Sequence, residues 1–271
     1  TQILGRLGAD VVHVEGPGHP DGMRLTGKMF ATTDAWWEFG HMFAAVDTDR
    51  RAVCIDLTED AGRDVLWSLI ERADVLVENF APRVADSWGL THEAVLERNP
   101  SIVYMRMPAF GLDGPWRDRP AFAQTIEPMS TMSSITGFAD GRPVSKGGLP
   151  DPVGGSTGAW AVLVALAARR RSGRGVAVES VMLDAALNVS AQPVLEYLSN
   201  GVVMGREGNR STHAAPQGVY RVAGDGEWVA VSVTSDAQWH QLAQLIGVDE
   251  LAADGRFATH SDRIREHDRL D

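Results

Sequence analysis

Asp151 stands between Pro150 and Pro152, and Gly154-Gly155 follow three residues later at the head of a long apolar stretch. A carboxylate at a helix N-terminus meets unsatisfied N–H groups and the positive end of the helix dipole. Those interactions favour the ionised form, which a carboxylate nucleophile requires. Neighbouring glycines let a bulky substrate come close to the backbone. The same pattern also describes a capping Asp with no chemistry, and the residues alone favour that plainer role.

Gly154-Gly155-Ser156-Thr157-Gly158 also spells G-x-S-x-G. A hydrolase nucleophile elbow needs a hydrophobic strand directly before it. Lys146 to Pro152 cannot form a central strand, so Ser156 is a weak nucleophile candidate and a better first-turn residue. No G-x-G-x-x-G follows a strand and no G-x-x-x-x-G-K-[ST] occurs, which removes the main support for dehydrogenase and P-loop readings. The 8 histidines show no metal-ligand spacing, so no metal site is expected. His213, in the stretch Asn209-Arg210-Ser211-Thr212-His213, is either a titrating cleft residue or a solvated loop residue, the second being the plainer reading.

Arginines complete the set. Arg83 comes just after Glu78-Asn79-Phe80-Ala81-Pro82, past the C-terminal end of a strand, the edge where open parallel sheets bind ligands. Arg106, Arg117 and Arg119 flank a Gly/Pro-rich loop, and Arg50-Arg51 open another strand. A phosphate-rich small ligand uses such residues; singly, each is equally well a solvated positive charge.

The elements that must position these residues follow from periodicity. Residues 10–15, 51–56, 74–78 and 102–107 read as strands, and 59–72 carries Ala61, Val65, Leu66, Leu69 and Ile70 along one helical face. His92–Arg98 is a short helix stopped by Asn99-Pro100. Residues 110–121 form a long loop of the kind that is usually functional. A helix is expected over 122–135, kinked at Pro128, then a loop over 137–152 and a buried helix over 154–171 with a basic C-terminal end. A strand at 176–179 and a helix over 181–199 follow. Beyond a Gly-rich linker, 218–223 and 227–234 pair as a hairpin around Gly224-Asp225-Gly226. The alternation predicts an α/β fold, a Rossmann-like and mostly parallel sheet covered by helices, over residues 1–199, with linker and part of a smaller α+β domain over 200–271.

At 271 residues the chain can bury a sizeable core, and its 44% hydrophobic and 23% charged content excludes general disorder. The lone Cys54 excludes a disulfide scaffold and reads as core filling in a reducing cytoplasm. A net charge of −11 argues against nucleic acid as a partner. The longest apolar run, Ala159 to Ala168, is too short for a bilayer, so no membrane partner is expected. Thr1 opens in what reads as mid-helix and Asp271 closes within a polar helix, the pattern expected of a piece of a longer protein.

Collinear with these elements are Gly8-Ala9-Asp10-Val11-Val12-His13-Val14-Glu15, Ala73-Asp74-Val75-Leu76-Val77-Glu78-Asn79-Phe80, Gly89-Leu90 and Asn99-Pro100. Phe110-Gly111-x-x-Gly114-Pro115, Met129-Ser130, the Gly147–Gly155 loop, Ser172-Gly173-Arg174-Gly175, Gly208-Asn209-Arg210 and Ser235-Asp236-Ala237-Gln238-Trp239 continue the series. In this order the chain resembles the class III (CaiB/BaiF-type) coenzyme A transferases, the family of formyl-CoA and carnitine-CoA transferases and the related α-methylacyl-CoA racemases. The resemblance implies an acyl-CoA:carboxylate CoA-transferase with coenzyme A as co-substrate, no metal, and two subunits interlinked like rings. It reverses the reading of Asp151, which falls on the family's nucleophilic aspartate. Asn79 and Phe80 match positions lining the CoA site; Arg83, Arg50 and Arg106 are candidate CoA contacts.

Departures from the pattern bear on the substrate. Phe122-Ala123 stands where the family often has Tyr-Asp or Tyr-Glu, Glu127 where it has Gln, and Asp47 and Asp49 where it has Asn. Racemase-type members carry a catalytic His near position 122, and Phe there disfavours racemisation by an acid–base pair with Asp151. Ser211 to Ala214 replaces a glycine-rich acceptor loop, leaving His213 as a candidate contact. Phe122, Glu127, Gly154 and Gly155 are the remaining candidate substrate residues. A racemase or epimerase, or a non-catalytic CoA-binding paralogue, are the competing expectations.

Overall fold

Short β-branched runs bounded by turn residues, alternating with amphipathic segments, fold as parallel strands with helical crossovers. In the computed structural model, which describes residues 1–27 and 34–271, these elements group into two compact units. One comprises residues 1–130 and 146–194, the other residues 131–145 and 195–271.

The first unit runs α1 (Gln2–Arg6), β1 (Val12–Glu15), α2 (His41–Val46), β2 (Arg51–Cys54), α3 (Asp60–Ile70), β3 (Val75–Glu78), α4 (Pro82–Ser87), α5 (His92–Arg98), β4 (Val103–Arg106), α6 (Ala123–Met129), α7 (Pro150–Ser172), β5 (Val176–Glu179) and α8 (Met182–Val189). The parallel strands form two sheets rather than one: β1-β2, and β3-β4-β5 with Val75 opposite Val103 and Val103 opposite Val176. β4 is central and buried along its whole length, which explains its uninterrupted Val103-Tyr104-Met105 core. Leu66 and Ile70 of α3, Ala85 of α4 and Val95 of α5 pack with Ile102 and Tyr104 into one cluster. Asn99 locks it, its side-chain amide donating to the Ile70 and Ala73 carbonyls at 2.9 and 3.0 Å.

Cys54 is exposed rather than core filling. The apolar spelling of β2 suggested a central strand, but β2 lies in the two-stranded sheet, where most of its side chains are uncovered.

Proline sets two helix boundaries. α6 ends at Met129, just past Pro128, instead of running to 135. The single helix expected over 181–199 is split at Ser190, because Pro193 cannot donate to the Val189 carbonyl; α9 (Ala191–Asn200) starts afresh.

In the second unit β6 (Gln217–Arg221) and β7 (Trp228–Ser232) form the expected antiparallel hairpin, Tyr220 opposite Val229. Helix α10 (Asp236–Ile246) is capped by Ser235, and its Trp239 packs with Val233 and Phe257. Arg206 ties residues 131–145 to this unit by donating to the Ser134, Phe138 and Gly141 carbonyls.

Candidate active site

Helix α7 carries Asp151 toward the carboxyl edge of the three-stranded sheet. Arg169 near its C-terminal end donates to the carbonyls of Asp74 and Ser101, which precede β3 and β4. Gly158, toward its other end, packs against Met107 just beyond β4, where a Cβ would come within 2.7 Å of the Met107 methyl. The helix therefore runs antiparallel to the strands. Asp151, seven residues before Gly158, extends roughly 10 Å further in the same direction at 1.5 Å per residue. Asn79 and Phe80 follow the last residue of β3 on that same carboxyl edge.

Asp151 is exposed on the first turn of α7, which begins at Pro150 rather than after the glycines. Its backbone N–H donates to the Gly148 carbonyl at 3.2 Å, while its carboxylate accepts no hydrogen bond among the described residues. Crowding by the surrounding protein, followed by the charge of Glu127, pushes the Asp151 pKa above its usual value. The expected dominance of the helix N-terminus is thus reversed: with no N–H group bonded to the carboxylate, desolvation decides the sign. Gly155 lies one turn further along on the same face, and a Cβ there would meet nothing within 4 Å. Gly154, by contrast, is buried and faces Met182 at 3.8 Å. The helix surface one turn beyond the carboxylate is therefore open.

Glu127 does not line this patch. It is 1% exposed, and its carboxylate accepts the backbone N–H groups of Lys146, Gly148 and Leu149 at 2.9, 2.8 and 3.2 Å. The turn it holds contains two left-handed glycines, Gly147 at φ +72° and Gly148 at φ +125°. Phe122, the residue before α6, is 77% exposed.

The arginines separate into different environments. Arg106 turns inward and is 4% exposed: Nε donates to Glu78 at 2.8 Å, Nη1 pairs with Asp86 at 3.0 Å, and Nη2 reaches the Pro82 carbonyl at 3.4 Å. Glu78 in turn accepts the Phe80 N–H at 2.8 Å, so this buried network orients the residues that follow β3. Burial pushes the Glu78 pKa up, against the pull of Arg106. Asp86 and Arg117 extend the network to the 110–121 loop, where Arg117 donates to the Leu112 carbonyl at 2.7 Å. Nothing in the sequence singled out Glu78, Asp86 or Asp118, whose roles depend on contacts across elements. Arg50 bonds Thr1 and the Val46 carbonyl and pairs with Asp47. Arg83 is exposed, its backbone N–H held by Asp118 at 3.0 Å and its guanidinium unpaired among the described residues. Phe80 is 42% exposed and packs edge-to-face on Trp88 at 5.0 Å; Asn79 is exposed beside it.

His213 is an exposed residue of the second unit, its N–H donating to Ser211. His13, Asp21 and Asp47 bring three ligand-type atoms within 4.8 Å of one another, a grouping the spacing did not reveal. Asp47 there is already paired with Arg50. No helix among the described residues is long and apolar enough to cross a membrane.

The whole of this chain, residues 1–271, matches the model of CoA-transferase family III. It is 34% identical over 272 residues to the succinyl-CoA–D-citramalate CoA-transferase of Chloroflexus aurantiacus, covering 100% of the chain and 66% of that protein. To the acetyl-CoA:oxalate CoA-transferase of Acetobacter aceti it is 32% identical, covering 100% of the chain and 68% of the relative. The chain thus spans about two thirds of the curated relatives it matches. Among solved structures, a CaiB/BaiF family protein from Brucella suis superposes with a TM-score of 0.84 at 31% identity, over 99% of this chain and 70% of that one. A match that runs from the first residue to the last, with relatives above 30% identity, places the chain in CoA-transferase family III.

Proposed function

We propose that the chain carries the nucleophile of an acyl-CoA:carboxylate CoA-transferase, and that the nucleophile is Asp151. One observation carries this reading: a carboxylate that accepts no hydrogen bond among the described residues stands on the first turn of α7, one turn before the open Gly155 on the same face, at the helix end that points to the carboxyl edge of the sheet. Relatives named for CoA transfer from succinyl-CoA and acetyl-CoA support a short acyl donor and a small carboxylate acceptor.

The chemistry proceeds in four substitutions at carbonyl carbon. The Asp151 carboxylate attacks the acyl-CoA thioester, the C–S bond breaks, and CoA leaves as thiolate while a mixed anhydride forms. The thiolate then attacks the aspartyl carbonyl, releasing the donor acid as carboxylate and leaving an aspartyl-CoA thioester. The acceptor carboxylate attacks that thioester, expelling the thiolate and forming a second anhydride. Attack of the thiolate on the acceptor's carbonyl gives the new acyl-CoA and restores Asp151. No net proton is consumed, so the site needs no general acid, in keeping with Phe122 where racemase relatives have His. Asn79, Phe80 and Arg83 hold CoA along the strand ends, with Arg83 as the cation for its phosphates. Arg106 acts through Glu78 on this edge rather than on the ligand. The working form is a homodimer of interlinked subunits.

The test is incubation with an acyl-CoA and hydroxylamine, followed by mass spectrometry of the Asp151 peptide. A hydroxamate at Asp151, absent in Asp151→Asn, is the expected result. An unlabelled Asp151, or full activity in Asp151→Asn, refutes the mechanism.

A further inference from the structure

We infer that Glu127 is a positioning residue for Asp151: its buried carboxylate clamps the turn from which helix α7 springs. The inference rests on the reading of Asp151 as nucleophile and adds to it a residue that never touches substrate.

The geometry makes the clamp direct. Three N–H groups of residues 146–149 converge on the two oxygens of one side chain, Lys146 on Oε2 and both Gly148 and Leu149 on Oε1. N–H groups bonded to a carboxylate make stronger and shorter contacts than neutral pairs. Gly147 and Gly148 both have positive φ, a conformation that residues with side chains rarely adopt. The Gly148 carbonyl accepts the Asp151 N–H, and the Leu149 carbonyl accepts the Val153 N–H. A movement of the turn is therefore a movement of Asp151. Glu127 is held in its own place by α6, which packs on both α7 and α8.

The same carboxylate has a second effect. Glu127 is the charged group that acts on Asp151 among the described residues; a Cβ built at Gly154 would face Met182 and one at Gly158 would face Met107, both uncharged. Like charge opposes ionisation of Asp151. A Gln at position 127 keeps one acceptor oxygen, loses the charge, and turns an amide NH2 toward a backbone N–H that has no acceptor left.

The experiment compares wild type with Glu127→Gln in single-turnover trapping of Asp151 by acetyl-CoA and hydroxylamine across pH, beside steady-state kinetics. Expected are a loss of roughly ten- to a hundredfold in kcat, a KM for acetyl-CoA within about twofold of wild type, and a trapping midpoint displaced to lower pH. A purely structural role does not move that midpoint in folded protein. Glu127→Gln with the wild-type rate and midpoint overturns the inference while leaving the nucleophile reading intact. Wild type that yields no Asp151 adduct overturns the nucleophile reading, and this inference falls with it. Hydrogen exchange in the wild type covers the case in which Glu127→Gln does not fold. The Lys146, Gly148 and Leu149 amides are expected to be protected, and exchange at the rate of an open loop overturns the clamp.

Discussion

Asp151 and Gly155 occupy one face of α7 a turn apart, and the space a side chain at 155 would fill is empty for 4 Å around. No packing partner among the described residues requires glycine at 155, and under the proposed function the position keeps the approach to Asp151 open. Ala in place of Gly in a helix interior stabilises it by about 1 kcal/mol. Gly155→Ala is therefore expected to raise the melting temperature, and Gly155→Val to lower kcat/KM for acyl-CoA by roughly tenfold, about 1.4 kcal/mol. Thermal melts and steady-state rates on the two variants check it; equal activity in Gly155→Val removes the role assigned to the patch.

The raised pKa of Asp151 has a stability signature. The folded state binds the Asp151 proton more tightly than the unfolded chain does. Stability is then lost as pH rises from the ordinary aspartate value of 3.8 through the folded one, and the loss is complete above it. Asp151→Asn is expected to melt higher than wild type at neutral pH, with the gap closing below 3.8. A gap that does not change with pH contradicts the assigned direction.

Arg106 offers a test of buried charge. Removing it leaves Glu78 buried with Phe80 N–H as its remaining bond among those described, and Asp86 with Arg117. Breaking such a pair costs about 3–5 kcal/mol, whereas replacing both partners by apolar groups costs far less. Urea unfolding of Arg106→Met is expected to show that loss, and Arg106→Met/Glu78→Met to recover much of it. Additive losses in the double variant exclude the coupling.

Arg83 separates binding from folding. Its guanidinium is exposed and unpaired among the described residues, so Arg83→Ala is expected to leave urea stability within about 0.5 kcal/mol. The KM for acyl-CoA should rise roughly tenfold with kcat retained, the mark of uniform binding lost. An unchanged KM takes Arg83 out of the CoA site.

The residues by themselves determined the alternation of strands and helices, because a buried parallel strand must be a short apolar run and a covering helix must be amphipathic. They also determined the Asn99-Pro100 stop, the hairpin around Gly224 to Gly226, and the family to which the chain belongs. Tertiary structure alone decided the rest. Arg106 and Arg83 look alike in sequence, but one folds inward onto Glu78 and Asp86 while the other stays in solvent, since that choice depends on carboxylates from other elements. Cys54 reads as core because its neighbours are apolar, yet exposure is set by what covers the sheet. The proton affinity of Asp151 reverses the local expectation for the same reason. Helix position is a property of nearby residues, whereas desolvation and the field of Glu127 come from groups that only folding brings within reach.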